Sequence, residues 1–390
     1  MQYSKRALAL SPSNTLAISA LAQKLSAQGR EIINLSTGEP DFDTPQIIKE
    51  DAIKAIQEGK SKYTAVSGIL PLREAIAQKL LRENALNYSP NEIIISNGAK
   101  HSLFNAMCAI LNPQDEVLIP SPYWVSYPEI VKFCQATPIF IPTTQEQDFK
   151  ITPQSLRDSI TPRTKLLILN SPSNPTGSLY TQAELEALGE VLKGSDIWVI
   201  SDEIYEKLVY EDGFVSLASL SSDLLERTIT INGLSKSSAM TGWRMGYLAS
   251  KDSTLLSCID NLQSNSTSNI NSFTQFASIR AFKLDAEIKA MRDEFRARRD
   301  IAHKLCSSIP SLSLNCPKGA FYLFVNIQQA ARFGGDSMKF SQALLEEQGV
   351  ALVPGVAFGM DGYVRMSFAT SIEMLIKGLE KIDLFLQSNA

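Results

Sequence analysis

Residues 230–247 read Thr230-Ile-Asn-Gly-Leu-Ser-Lys-Ser-Ser-Ala-Met-Thr-Gly-Trp-Arg-Met-Gly-Tyr247: a short apolar strand runs into small residues around Lys236, with Arg244 eight positions on. A lysine attacks an aldehyde only after losing its proton, which a partly desolvated pocket and a nearby cation both promote. Small neighbours leave room for what the amine holds. The competing reading is a surface lysine after a strand, because lysines are mostly exposed. The rest of the chain decides between the two.

The chain has 390 residues, 44% apolar and 20% charged, an ordinary globular composition with core enough for roughly two to three domains. A net charge of −4 without a basic patch argues against nucleic-acid partners and for small molecules. Five cysteines (Cys108, Cys134, Cys258, Cys306 and Cys316), odd in number and without a CxxC spacing, read as free thiols in a reducing compartment. The two histidines, His101 and His303, have no cysteine or carboxylate cluster beside them, so no metal centre is expected. The first thirty residues carry Lys5, Arg6, Lys24 and Arg30 without an acid, as a transit peptide would. Ser11 to Thr15 followed by Leu16 to Leu25 reads instead as a loop entering a helix of a mature N-terminus, and no apolar run suits a signal peptide or membrane span. A cytoplasmic protein is expected.

Strand-like runs alternate with helical patterns through the middle of the chain, which is the α/β pattern. Residues Glu92–Ser96, Glu116–Pro120, Lys165–Leu169, Asp196–Ile200 and Thr228–Ile231 are continuous apolar runs suited to strands covered on both faces. Thr181-Gln-Ala-Glu184 has the form of a capping box opening a helix through Leu192, and a helix continues from the turn at Gly98 through Leu111. Beyond about residue 285 come a charged helix over 286–309, a strand over 319–325, a helix over 338–348 and a strand over 363–368.

The chemically suggestive residues follow the carboxyl ends of those runs, where open α/β sheets bind ligands. Ser96-Asn-Gly-Ala-Lys100 links a strand to a helix, and its N–H groups with the helix dipole favour a phosphate; simple chain reversal is the alternative. Asn170-Ser-Pro-Ser-Asn-Pro-Thr-Gly177 is a proline-restricted loop aiming the Asn174 amide, or an ordinary turn. Ser201-Asp-Glu-Ile-Tyr205 follows, its Asp202 readable as a helix cap, and Pro122-Tyr-Trp-Val-Ser-Tyr-Pro128 offers Trp124 as a flat surface or as core. Arg365, in Val364-Arg-Met-Ser-Phe-Ala369, offers a rigid fork for a carboxylate, or faces solvent from its strand.

In order and spacing, from Gly38 to Arg365, these segments resemble the class I pyridoxal-phosphate-dependent aminotransferases of fold type I, closest to the bacterial aspartate/prephenate aminotransferase branch. The resemblance implies a large domain over 46–285, with a mainly parallel seven-stranded sheet between helices. It also implies a smaller α+β domain over 286–390, on which residues 1–45 pack. It makes Lys236 the catalytic lysine that carries pyridoxal 5'-phosphate. Gly98, Ala99, Lys100, Ser235 and Arg244 would hold the phosphate, Trp124 the ring face, Asn174 and Tyr205 the phenolic oxygen, and Asp202 the pyridine nitrogen. Some relatives have a phosphate-binding serine three residues before the lysine, where this chain has Gly233. Tyr63 resembles the tyrosine that reaches the neighbouring subunit's phosphate, which implies a homodimer with shared sites. Arg365 and Gly38, with Trp124 and Asn174, would bind the amino acid and 2-oxo acid substrates. Thr15 and Lys100 occupy the positions that hold a second carboxylate, or are a helix cap and a solvated lysine. The expected activity is ping-pong transamination of aspartate and glutamate; aromatic or alanine aminotransferases are close alternatives. A carbon–sulfur lyase, or a cofactor-sensing regulatory domain of the kind fused to a DNA-binding segment, is more distant.

Overall fold

The computed structural model describes residues 3–11, 14–211 and 213–388, apart from the side chains at 14–17, 19 and 331. All five apolar runs form strands of one seven-stranded sheet, in the order Ile93–Asn97, Met245–Ala249, Thr228–Gly233, Trp198–Asp202, Thr164–Asn170, Glu116–Ser121 and Thr137–Pro142. Met245–Ala249 runs antiparallel to both neighbours and the other pairings are parallel. Side-chain alternation along the strands sorts the apolar residues to two faces. Ile94, Leu248, Ile231 and Ile200 pack with Leu103 and Ile259 on one face. Ile93, Ile95 and Tyr247 pack with Leu72, Ile76 and Ala277 on the other.

Two strands escape a reading by apolar runs. Thr137–Pro142 carries Pro138 and Pro142, tolerable because it is an edge strand whose outer N–H groups need no partner. Met245–Ala249 is fully buried but follows directly on the small residues around Lys236. The box at Thr181 forms as its spacing implies: Thr181 Oγ1 accepts from Glu184 N at 3.3 Å and Glu184 Oε2 accepts from Thr181 N at 2.8 Å.

The second sheet is antiparallel, with Tyr363–Ser367 between Val353–Pro354 and Tyr322–Asn326. The run read as a strand from Gly319 joins it only at Tyr322. The amides of Lys318, Gly319 and Ala320 are spent on Gly177 O and Leu208 O, at 2.9 Å each, and so tie this sheet to the loops after Asn170 and Asp202. Near the amino terminus, Ile33–Asn34 pairs in parallel with Val350–Ala351, and Leu35 O accepts from Ser367 N at 2.7 Å. The helix Asp285–Ser307 packs over this part through Phe295, which lies 5.2 Å from Phe42 and 5.4 Å from Phe321, centroid to centroid.

Phe295 is fully buried and joins three segments distant in sequence. Phe295→Ala is expected to lower stability by about 3–5 kcal/mol, the range for a cavity left by a buried phenylalanine. Chemical denaturation followed at two wavelengths reads it, and a loss under about 1 kcal/mol would mean that the site collapses to fill the gap.

Candidate active site

The parallel strands Ile93–Asn97, Glu116–Ser121, Thr164–Asn170, Trp198–Asp202 and Thr228–Gly233 all end at one edge of the sheet, so the segments that follow them meet there. A cleft of about 830 Å³ opens at that edge, lined by Gly38, Ala99, Lys100, Trp124, Asn174, Asp202, Tyr205, Ser235, Lys236, Arg244 and Arg365. Among the described residues, the lining has four cations, Lys100, Lys236, Arg244 and Arg365, against one carboxylate, Asp202. Such a surplus attracts anions.

Lys236 lies in the single turn Leu234–Ser237 and its Nζ donates to Gly38 O at 2.6 Å. Burial is the largest influence on its pKa, pushing it down to about 8; Arg365 and Arg244 push the same way, and Glu39 and Asp202 oppose them. These are the conditions that make a lysine nucleophilic near neutral pH. Glu39 is held in turn by Thr241 Oγ1, which donates to its Oε2 at 2.7 Å.

Asp202 ends its strand buried. Its Oδ2 accepts from Tyr127 Oη at 2.7 Å and its Oδ1 from Ile204 N at 3.2 Å. Burial raises its pKa to about 6, more than these two donors and the Lys236 charge lower it. A buried carboxylate in that state is under-supplied with positive charge and suits a cationic N–H in the cleft.

Arg365 is 6% exposed and spans two loops. Its Nη1 donates to Asn174 Oδ1 at 3.0 Å and its Nη2 to Ser36 O at 2.9 Å, with the guanidinium 4.2 Å above the Tyr322 ring. Its Nε is buried without a partner among the described residues. Asn174 is anchored through its backbone N, which donates to Asn170 Oδ1 at 2.8 Å. The Tyr205 hydroxyl pairs with that of Tyr322 at 2.9 Å.

At the other end lies the N-terminal turn of the helix Ala99–Ile110, whose first N–H groups have no carbonyl partner within the helix. Arg244, held at φ 58°, donates to Thr241 O at 3.0 Å and to Asn97 O at 3.3 Å. Gly98 is required here: at φ 81°, a Cβ would sit 2.4 Å from Arg244 Nη2. Gly233 is required too, since a Cβ would meet Met245 O at 2.7 Å, which leaves no room for a serine. Lys100 lies 4.9 Å from the centroid of the Trp124 ring and makes no ion pair among the described residues. Burial and then the Arg244 charge lower its pKa.

One expected site residue lies elsewhere and one cannot be placed. Tyr63 is 91% exposed and outside the cleft. Thr15 belongs to the helix Asn14–Ala27, but its side chain lies outside the described residues. The sequence reading missed Tyr127, Asn170, Tyr322, Glu39 and Thr241. Tyr127 and Asn170 stood inside segments quoted for other residues, whereas Tyr322 and Glu39 gave no signal beyond a strand and a turn.

Residues 30–382 match the family model for aminotransferase class I and II. The chain is 46% identical to the aspartate aminotransferase of Bacillus subtilis over the whole of both chains. It is 45% identical to the aspartate/prephenate aminotransferase of Nitrosomonas europaea, across 98% of this chain and 99% of that one. Among solved structures, the aspartate aminotransferase from Thermus thermophilus with maleate superimposes with a TM-score of 0.94 at 40% identity, covering 98% of this chain and 99% of that one.

The Lys236 environment has a measurable consequence. Only the neutral amine reacts with acylating reagents, so labelling of the apoprotein at Lys236, read by peptide mass spectrometry, is expected to be half-maximal near pH about 8 and to level off about one unit above that. An ordinary exposed lysine, with a pKa of about 10.4, keeps rising past pH about 10. A Lys236 profile that coincides with the exposed lysines would show that the cleft does not depress its pKa.

Proposed function

This chain belongs to the class I and II aminotransferase family and is a transaminase; from that premise we propose that it exchanges amino groups between aspartate or glutamate and their 2-oxo acids, with pyridoxal 5'-phosphate as cofactor. The observation that carries the substrate reading is that Arg365 and Lys100 line one cleft and neither has a carboxylate partner among the described residues. A four-carbon or five-carbon diacid supplies both. The maleate named with the Thermus thermophilus relative is a dicarboxylate and supports the same reading.

The residues present fit the cofactor. Gly98 leaves the Arg244 guanidinium beside a helix N-terminus, a setting for a phosphate, and Asp202 is a buried carboxylate short of a cationic partner. Ala99, Lys100 and Ser235 complete the phosphate cup in this reading, Trp124 covers a ring face, and Asn174 with Tyr205 meets a phenolic oxygen. Bound there, the cofactor would supply an aldehyde carbon for the amino group and a protonated ring nitrogen as electron sink.

The chain's own groups do the rest. Arg365 holds the α-carboxylate as a two-pronged donor, with Gly38 on the other side, and Lys100, with Thr15, holds the distal carboxylate. Lys236 Nζ moves a proton to and from the substrate α-carbon, a task suited to an amine with a pKa near 8. Asp202, steadied by Tyr127, keeps a proton on the ring nitrogen. One cleft serves both half-reactions, which gives ping-pong kinetics.

A second copy of the chain would cover the exposed Tyr63 and bring it to the partner's site. A division into 46–285 and 286–390, with 1–45 packed on the latter, is supported by the pairing of Ile33–Asn34 with Val350–Ala351. No described helix is long and apolar enough to cross a membrane. A cytoplasmic location fits the five free cysteines.

Two tests address this reading. Lys236→Ala is expected to abolish turnover while the protein still retains cofactor non-covalently; turnover at the wild-type rate would end the mechanism. Half-reaction rates for aspartate, glutamate, alanine and phenylalanine separate the two carboxylate sites. Arg365→Lys should weaken all four amino acids together, through loss of the paired donors. Lys100→Ala should cut kcat/KM for aspartate and glutamate by about 1.5–3 kcal/mol and spare alanine and phenylalanine. Equal losses for every substrate would reassign Lys100 to the phosphate, and a wild-type preference for phenylalanine or alanine would favour an aromatic or alanine aminotransferase.

A further inference from the structure

Cys108 and Cys134 are 26 residues apart in sequence, yet their Sγ atoms are in contact at 3.6 Å. Cys108 stands in the last turn of the helix Ala99–Ile110, and Cys134 caps the helix Ser126–Phe133. Phe104, one turn before Cys108, packs on Phe133, next to Cys134, with centroids 5.2 Å apart. The two sulfurs are therefore the next rung of a fixed helix–helix contact. Both are half-buried, so a small oxidant has access to them, and the Arg6 guanidinium lies 5.4 Å from the centroid of the Phe133 ring.

We propose that Cys108 and Cys134 form a reversible dithiol–disulfide pair that responds to hydroperoxides. Forming the bond requires the Sγ–Sγ contact to close from 3.6 Å to about 2.05 Å. Cys108 is the attacking sulfur: the contact with Cys134 and the charge of Arg6 lower its pKa against the opposing effect of burial, whereas the same contact and then burial raise that of Cys134.

In the first step the Cys108 thiolate attacks an oxygen of the hydroperoxide. The O–O bond breaks, the sulfur is oxidised to a sulfenic acid, and the leaving alkoxide takes a proton to become an alcohol, or water from hydrogen peroxide. In the second step Cys134 sulfur attacks Cys108 sulfur, the S–S bond forms, the S–O bond breaks, and hydroxide leaves with the Cys134 proton as water. Two thiols and one hydroperoxide thus give one disulfide, one alcohol and one water. The cross-link joins the far ends of two helices whose first turns carry Lys100 and Tyr127.

The holoenzyme treated with dilute hydrogen peroxide tests this. The expected result is loss of two of the five titratable thiols, a mass lower by two hydrogens, and a linked peptide pair containing residues 108 and 134, all reversed by dithiothreitol. Cys134→Ser should stop the chemistry at a Cys108 sulfenic acid that dimedone traps, and Cys108→Ser, or Cys108→Ala if serine is not tolerated, should form no link. The proposal is overturned if the exposed Cys258 or Cys316 is consumed while no 108–134 link forms, or if Cys108 passes to sulfinic acid with Cys134 still free.

Discussion

Burying one carboxylate, Asp202, organises this cleft. Removing a carboxylate from water costs several kcal/mol unless donors replace the lost hydration. The chain supplies two, Tyr127 Oη and Ile204 N, and leaves the balance unmet, with the pKa raised to about 6. The backbone around it is strongly restrained: Asp202 O accepts from Asn170 Nδ2 at 2.9 Å and from Ser171 N at 3.2 Å. The loop that aims Asn174 is thus moored to the same residue, and Asn174 in turn receives Arg365.

The next residue faces the other side of the strand, as β-structure demands. Glu203 is buried there, accepting from Ser201 Oγ at 2.9 Å and Ser216 Oγ at 2.7 Å, and burial with the nearby Glu206 pushes its pKa to about 8. Asn84 bridges Ser216 to Glu206, each at 2.7 Å, and Lys79 bonds Asn84 and Glu206. One strand end so separates two polar environments: one satisfied within the fold, the other open to the cleft.

Close backbone approach sets the opposite wall. At Gly246 a Cβ would sit 2.2 Å from Ala99 N, so the antiparallel strand Met245–Ala249 can press against the helix start only with glycine there. Arg244, one residue before Met245, adopts φ 58°, an uncommon conformation for a residue with a side chain, and its guanidinium sits over Gly98. Strain and glycine placement concentrate where the cations of the site are held.

Much of this was legible in the sequence because it is local. Continuous apolar runs mark strands covered on both faces, and Thr181 with Glu184 marks a helix start, whereas the lysine among small residues after a strand reads also as a surface lysine and is singled out only by the resemblance of the whole chain. Lys236, Asp202 and Asn174 line one cleft because parallel strands bring their carboxyl ends to one edge, whereas Arg365 reaches it from the antiparallel strand Tyr363–Ser367 of the second sheet. The edge strand Thr137–Pro142 was obscured by its prolines, and the strand beginning at Tyr322 was read three residues early because amides 318–320 bond to distant loops. The partners of the site residues could not be read at all. That Tyr127 meets Asp202, that Gly38 O meets Lys236, and that Cys108 touches Cys134 depend on helix packing and loop closure across tens to hundreds of residues, and hydrogen bonds and thiol contacts form only at the distances that packing sets.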